Sequence, residues 1–303
     1  MTITAITGSS GFVGKALVTV LRARGHEVRR FVRPSSGSSS DTDTDAIAWD
    51  PATGKIDAAR CAGIDTVIHL AGENVASGRF TKLRMHNIDN SRGPATQKLC
   101  RSLANLPSPP RTLLSASAIG YYGDRGAELL TEQSGSGAGF LADVGRAWEA
   151  GTSPLAAAAA RIVHLRIGIV LDKHGGALRR MLPAFRLGLG GRLGNGRQYM
   201  SFITRTDLLA AICFLLERND IRGPVNCVSP QPVDNQTFTR SLGKALHRPA
   251  ILPIPLFALR LLFGRITDEA LLASQRVLPA VLQQHGFSFQ HHDIDRALRA
   301  ALA

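Results

Sequence analysis

The sequence predicts an α/β fold, a doubly wound parallel sheet with a smaller C-terminal lobe. Three observations carry the prediction. Short β-branched runs alternate with helix-period segments through the first half, a glycine-rich turn separates the first run from the first helix, and the regular beat stops near Asp172. Strands separated by helices in this order imply parallel crossover units.

Taken in order, Ile3 to Thr7 reads as a strand, Gly11 to Arg24 as a helix, and Glu27 to Arg33 as a second strand after the Gly25-His26 break. Asp65 to Leu70 is a further buried strand, followed by a polar loop and a helix over Leu83 to Ala104. Arg111 to Ala116 is the next strand, Ala138 to Ala150 a helix with Trp148 on its buried side, and Arg161 to Leu171 returns to strand. Pro34 to Asp45, rich in Ser, Thr and Asp, has nothing to bury and is expected to be a mobile loop. Beyond Asp172, the Gly- and Pro-punctuated stretches 188–196, 230–232 and 249–255 suggest a lobe packed on the C-terminal ends of the strands, where open α/β sheets bind ligands.

A chain of 303 residues, 44% hydrophobic and 19% charged, can bury a real core and is not disordered. The net charge of +13 raises nucleic acid as a partner, but no basic run exceeds a pair and few aromatics are placed to stack bases. A field that draws in anionic cofactors or a small anionic substrate is the simpler reading. The four cysteines form no CxxC pair and have no histidine at zinc spacing, so neither a metal site nor a disulfide framework is signalled. The N-terminus runs directly into the first strand and no apolar run reaches membrane-spanning length, so a cytoplasmic protein with no membrane partner is expected.

The turn reads Gly8-Ser9-Ser10-Gly11-Phe12-Val13-Gly14. In this GxxGxxG spacing Gly8 can make the tight turn, Gly11 can admit a pyrophosphate against bare backbone, and Gly14 can let the helix approach closely. The helix N-terminus adds free N–H donors and a positive dipole. A glycine turn with a purely structural role is the alternative, but a strand before and a helix after are what dinucleotide binding requires. On this basis residues 1–171 are expected to form the dinucleotide-binding core, with 172–303 mainly a substrate lobe and C-terminal segment, some elements returning to the core. About 20 residues after such a turn an acid normally takes the adenosine ribose hydroxyls. Here the second strand ends Val32-Arg33-Pro34, with no acid. A guanidinium at Arg33 can grip a 2′-phosphate that a carboxylate would repel, so NADP(H) is expected over NAD(H), unless Arg33 is merely a solvated strand end.

Thr7 through Gly14 and Asp65 through Gly72 together resemble the paired signatures of the NAD-dependent epimerase/dehydratase branch of the short-chain dehydrogenase/reductases. Ala71-Gly72-Glu73-Asn74, Ser91-Arg92, Ser115 through Gly123, Trp148-Glu149 and Gly188 through Gly191 resemble its sugar-nucleotide-epimerase-like atypical subfamily. That subfamily's extra C-terminal segment is similar to Arg248 through Phe287. The resemblance implies a Rossmann-type core, a C-terminal substrate lobe and NADP(H) binding, but no particular substrate; the reading adopted is an NADP(H)-dependent oxidoreductase or epimerase-like enzyme on a small carbonyl or sugar-nucleotide-like substrate. The resemblance also implies that Leu70 and Ala71 end the fourth strand against the adenosine part of the cofactor, continuing into Gly72 and Glu73. Arg92 would approach from the next helix, and Val170 would offer backbone near the nicotinamide.

Hydride chemistry needs a group that moves a proton at the substrate oxygen, in the wider superfamily a Tyr-Lys pair in YxxxK with a polarising Ser. Ser117 is present, but the corresponding helix, Gly139 through Arg146, has neither Tyr nor Lys. Tyr121 and Tyr122 are the available acids, with sheet-edge packing as the alternative for each. Glu73 is a candidate cofactor contact or proton carrier, more simply a loop carboxylate, and His69 reads as a satisfied core histidine. Thr204 stands where the resemblance expects a histidine. In the Gly188 to Gln198 stretch, Arg192 and Arg197 can close over an anionic substrate, the alternative being a plain glycine-rich surface turn. The missing Tyr-Lys pair keeps open a catalytically silent NADP(H)-binding sensor or regulatory protein.

Overall fold

The computed structural model describes residues 2–34, 44–75, 81–257, 260, 264 and 267–303. Of the stretch expected to be a loop, residues 35–43 lie outside the described residues, as do several of 258–266 in the C-terminal segment. The apolar runs form seven strands of one sheet: β1 (Ile3–Thr7), β2 (Glu27–Val32), β3 (Ala46–Ala48), β4 (Ile64–His69), β5 (Thr112–Ala118), β6 (Arg161–Ile167) and β7 (Gly223–Cys227). Their spatial order is β7-β6-β5-β4-β1-β2-β3 and every pairing is parallel. The order reverses between β1 and β4, so the glycine turn after β1 opens into the switch-point crevice.

The helices are α1 (Phe12–Ala23), α2 (Lys82–Asn90), α3 (Gly93–Ala104), α4 (Phe140–Ala150), α5 (Ser153–Ala157), α6 (Gly176–Arg186), α7 (Arg205–Glu217), α8 (Asn235–Leu246), α9 (Ala280–Gln284) and α10 (Ile294–Leu302). Strand residues alternate between two cores, as a period of two requires. Ile6, Ile68, Leu114 and Leu165 pack with Leu17 and Leu21 of α1 and Leu208 and Ile212 of α7. Ala5, Val67 and Leu113 face the other way, against Leu99 and Leu103 of α3 and Leu155 of α5. A third core joins α6, α8 and α10 through Leu178, Leu182, Phe238, Leu242 and Leu298. Among the described residues no helix is long and apolar enough to cross a membrane, and all four cysteines are buried and unpaired.

Three expectations need correction. The single helix over Leu83 to Ala104 is two, α2 and α3, because Pro94 starts a new helix and a side chain at Gly93 would collide with Ala147 Cβ at 2.9 Å. The strand over Arg161 to Leu171 breaks at Gly168, and its second piece, Ile169–Leu171, pairs with Phe202–Thr204 instead of the main sheet. The second half is also more regular than its punctuation suggests: it supplies β7 and the helix α7 that covers the sheet.

His69 shows how polar groups are buried here. Thr7 Oγ1 accepts from the amides of Leu70 and Ala71, each at 3.1 Å, which fills its two lone pairs. Its own proton therefore goes to His69 Nδ1 at 2.7 Å, leaving the ring proton on Nε2, 2.9 Å from Thr96 Oγ1. Burial pushes the His69 pKa down to about 4 from an ordinary 6.5. Below pH 6.5 the unfolded chain takes up a proton that the native ring refuses, so this contribution is complete above 6.5 and declines as pH falls toward 4. The expected loss is about 1.4 kcal/mol per pH unit from this group. Urea unfolding across that window, compared with His69→Asn, should show a shallower pH dependence in the variant; an NMR titration of His69 with a midpoint near its ordinary value would contradict the assignment.

Candidate functional site

The turn between β1 and α1 is shaped by what its glycines touch. Gly8 has φ +68°, and a Cβ on it would meet Ala71 N and Leu70 C at 2.9 Å, so the turn rests directly on the end of β4. At Gly14 a Cβ would lie 2.2 Å from Gly8 O, which makes this glycine the point where α1 closes on the turn itself rather than on the strand. Gly11, the N-cap of α1, differs: an added Cβ would meet only Gly8 O, at 3.1 Å. Among the described residues nothing else lies within 4 Å of that position, and no side chain caps the helix N-terminus. Ser9 is buried and Ser10 exposed, with Val13 packed against the α1 core.

Phe12 points away from that opening. A Cβ on Gly175 would fall 2.2 Å from its ring, and the Arg205 guanidinium lies 5.2 Å from the ring centroid on its way to an ion pair with Asp172 at 2.9 Å. The turn is therefore tied to the second half of the chain through Phe12. Val170 is near this junction: Gly176 abuts its carbonyl and Ile203 pairs with it. At the end of β2, Arg33 is exposed and makes no hydrogen bond or ion pair among the described residues.

Past β4, the Leu70 and Ala71 amides are held by Thr7. Arg92 is buried, donates from Nη2 to Glu73 O at 2.9 Å and from Nη1 to Ile88 O at 3.2 Å, and lies 4.8 Å from the Trp148 ring centroid. Burial lowers its pKa to about 10, with Glu73 opposing and Arg84 assisting. The surface-charge alternative for Arg92 does not hold, since its guanidinium clamps the loop carrying Gly72 and Glu73. A Cβ on Gly72 would sit 3.6 Å from Arg92 Cζ and 3.8 Å from Trp148. The Glu73 carboxylate pairs with Arg84 at 3.2 Å.

The polar centre lies at the C-terminal ends of β5, β6 and β7, where Ser117, Arg166 and Asn226 are register partners across three strands. Ser117 Oγ donates to Glu149 Oε1 at 2.8 Å. Arg166 grips both oxygens of Glu149, Nε to Oε1 at 2.8 Å and Nη2 to Oε2 at 2.9 Å. Burial opposes the charge of Arg166, but its bonds to Glu149 and Tyr122 outweigh that and hold its pKa above the ordinary value. The same guanidinium lies 3.6 Å from the Tyr121 ring centroid and donates to Tyr122 Oη at 2.9 Å. His164, two residues earlier on β6 and in register with Ser115, lies 3.0 Å from Thr152 Oγ1 and 4.0 Å from Glu149.

The two tyrosines separate clearly. Tyr122 is 0% exposed, its hydroxyl enclosed by Arg166, Asn226 Oδ1 at 2.7 Å and Thr131 O at 3.0 Å. Burial raises its pKa to about 12. It cannot meet a substrate, so the expectation of Tyr122 as a proton donor is corrected to a packing and hydrogen-bonding role. Tyr121 is half-buried and its hydroxyl has no partner among the described residues. Sequence reasoning missed Glu149 and Arg166 as members of this centre, although both stand inside segments it had marked, because their pairing is visible only across a helix and a strand.

In the second lobe the glycines at 190–191 are explained by packing: added side chains would strike the Phe185 ring at 2.4 Å and Leu252 O at 1.7 Å. Arg192 Nη1 donates to Asn195 O at 3.1 Å. Arg197 is exposed and lines a cavity of about 480 Å³ with Asp124, Gln198, Leu256 and Ser274, just beyond the Tyr121 segment. Thr204, in the position where histidine was expected, caps α7 by accepting from Asp207 N at 3.1 Å, and His291 Nδ1 lies 3.2 Å from its Oγ1.

Comparison with known proteins agrees with this architecture. Residues 4–138 match the model of the NAD dependent epimerase/dehydratase family, and residues 254–301 match that of the domain of unknown function DUF1731. An epimerase family protein of Mycobacterium bovis is 40% identical over 98% of this chain and 96% of its own length. The crystal structure of human epimerase family protein SDR39U1 (isoform 2) with NADPH superposes with a TM-score of 0.88 at 31% identity, covering 99% of this chain and 98% of that one. A nucleoside-diphosphate sugar epimerase structure from Corynebacterium glutamicum gives a TM-score of 0.77 at 34% identity, over 99% of this chain and 58% of the other. With the switch-point turn, the polar centre at the strand ends and the added C-terminal segment in place, the chain belongs to the NAD-dependent epimerase/dehydratase family, in the epimerase-like branch that carries DUF1731.

Proposed function

We propose that the chain is an NADP(H)-dependent oxidoreductase or epimerase-like enzyme acting on a small carbonyl or sugar-nucleotide-like substrate. The observation that carries the proposal is the pairing of an open Gly11 at the α1 N-terminus with an exposed, unpaired Arg33 at the end of β2. The first suits a pyrophosphate and the second a 2′-phosphate. NADPH in the human relative supports this choice.

When bound, the nicotinamide supplies or accepts the hydride. This chain's own residues then handle the oxygen. Ser117 donates its hydroxyl hydrogen bond to Glu149 Oε1, which also accepts from Arg166, so toward a substrate Ser117 offers lone pairs and accepts from a substrate hydroxyl. That differs from the donor role expected of it, which would require breaking the bond to Glu149. Tyr121 is the remaining proton carrier, and Arg166 over its ring fixes its place. Arg197 and the cavity beside it suit the anionic part of a substrate. One observation favours the silent sensor as a second reading: Ser117 is only 2% exposed.

Arg33→Ala should weaken NADPH roughly ten- to a hundredfold, the loss of one charge-assisted contact, and leave NADH nearly unchanged. Equal losses in a fluorescence titration, or a wild type that prefers NADH, would remove NADP(H) from the proposal.

A screen of carbonyl compounds and sugar nucleotides for NADPH oxidation separates the enzyme from the sensor, which would bind cofactor tightly and turn nothing over. On any substrate found, Tyr121→Phe should cut kcat about a hundred- to ten-thousandfold with NADPH affinity intact. Tyr122→Phe should instead cost about 1 to 3 kcal/mol of stability and spare kcat. The reverse pattern would exchange the roles of the two rings.

A further inference from the structure

We propose that the opposite pole of the sheet, at the N-terminal ends of β5 and β6, carries a second ligand site, for a small phosphate-bearing anion. A cavity of about 520 Å³ opens there, lined by Arg111 and Thr112 at the start of β5, Arg161 at the start of β6, and Arg222 just before β7. Its apolar walls come from Pro109-Pro110 and the alanines at 158–160. The glycine turn lies at the other end of the parallel strands, so this site is separate from the proposed cofactor site.

Arg161 is the central feature. It is 4% exposed, yet its guanidinium meets only neutral acceptors. Nε donates to Thr112 Oγ1 at 3.3 Å, Nη1 to Arg218 O at 2.9 Å and Ile221 O at 3.1 Å, and Nη2 to Leu215 O at 3.2 Å. Four of the five N–H donors of an arginine are thereby occupied while its charge has no carboxylate partner among the described residues. Buried cations are ordinarily paired. Burial lowers the Arg161 pKa, the charge of Arg222 lowers it further, and Asp220 opposes both. Asp220 is held by Arg218 through bonds of 2.9 and 2.8 Å, and Asp65, at the start of β4, accepts the Arg111 amide through its backbone carbonyl at 2.9 Å.

Arg111 and Arg222 strengthen the case. Both are exposed, both line the cavity, and neither side chain forms an ion pair or hydrogen bond among the described residues. The wall between them is built with Ala159 in the left-handed region, φ 64°, which residues other than glycine seldom adopt. Three guanidinium groups around one cavity, two with their planar forks open, match the geometry and charge of a phosphate dianion better than a single carboxylate. The volume and the proline and alanine walls leave room for a small organic portion.

Calorimetric titration of the full chain with inorganic pyrophosphate and glycerol phosphate tests the site, with citrate as a carboxylate comparison. The Arg111→Ala/Arg222→Ala double variant, whose substituted side chains are exposed, should bind the phosphates at least ten- to a hundredfold more weakly, with unchanged melting temperature and NADPH affinity. Arg33→Ala should leave phosphate binding at this pole intact. No heat with wild-type protein at millimolar phosphate, binding that survives the double substitution in a chain whose glycine turn is also closed by Gly11→Val, or binding lost only in Arg33→Ala would each overturn the proposal. Citrate binding as tightly as either phosphate would overturn the ligand class. Each result is read independently of whether NADPH binds.

Discussion

The buried guanidinium of Arg166, at the C-terminal end of β6, is neutralised by an ion pair, and the region around it is organised by that pairing. Its side chain is almost wholly buried, and the full penalty of an isolated charge there would be several kcal/mol after relaxation. Glu149 removes the penalty by accepting both ends of the fork, which fixes α4 against β6 at that point. Tyr121 and Tyr122 take the remaining face and edge of the guanidinium, and Ser117 satisfies Glu149 from β5. The tyrosines, the serine and the helix are thus positioned by one charge.

The pair belongs to a larger pattern. On the face that carries Ala5, Val67 and Leu113, the strands are apolar toward their N-terminal halves. Two residues further along, the same face presents Thr7, His69 and Ser115 in register, then His164, and one step beyond, Ser117, Arg166 and Asn226. The sheet therefore changes from core to polar site midway along its strands. Each polar group is bonded to a neighbour rather than to solvent, which is the condition for burying it. A network of this kind, fully satisfied, specifies a geometry more sharply than apolar packing can.

The site also depends on both halves of the chain. Phe12 leaves the glycine turn and lodges between Gly175 and Arg205, and Asp124 beyond the Tyr121 segment accepts from the Ser274 amide at 3.1 Å. On the helix after β5, a Cβ on Gly145 would lie 3.1 Å from Tyr121 Cα. The space that a longer side chain would fill is taken by the Tyr121 backbone. The cation near the tyrosine comes from β6, as Arg166, and approaches from the ring face.

The sequence alone determined the layers and the turn. Period-two apolar runs separated by helical segments can bury their surfaces only as a covered parallel sheet, and glycines at 8, 11 and 14 between strand and helix have few other uses. The boundaries of α1, with Gly11 as cap and Arg24 as its last half-turn, were legible for the same local reason. Tertiary structure decided what local pattern does not encode. It broke the expected helix at Gly93 against Ala147, returned β7 to the sheet, closed Tyr122 and left Tyr121 open. It also joined Ser117, Glu149 and Arg166, which are separated in the chain by a helix and a strand. Adjacent tyrosines are equivalent in a sequence, and only the neighbours brought in from β6 and β7 distinguish a buried hydroxyl from an accessible one.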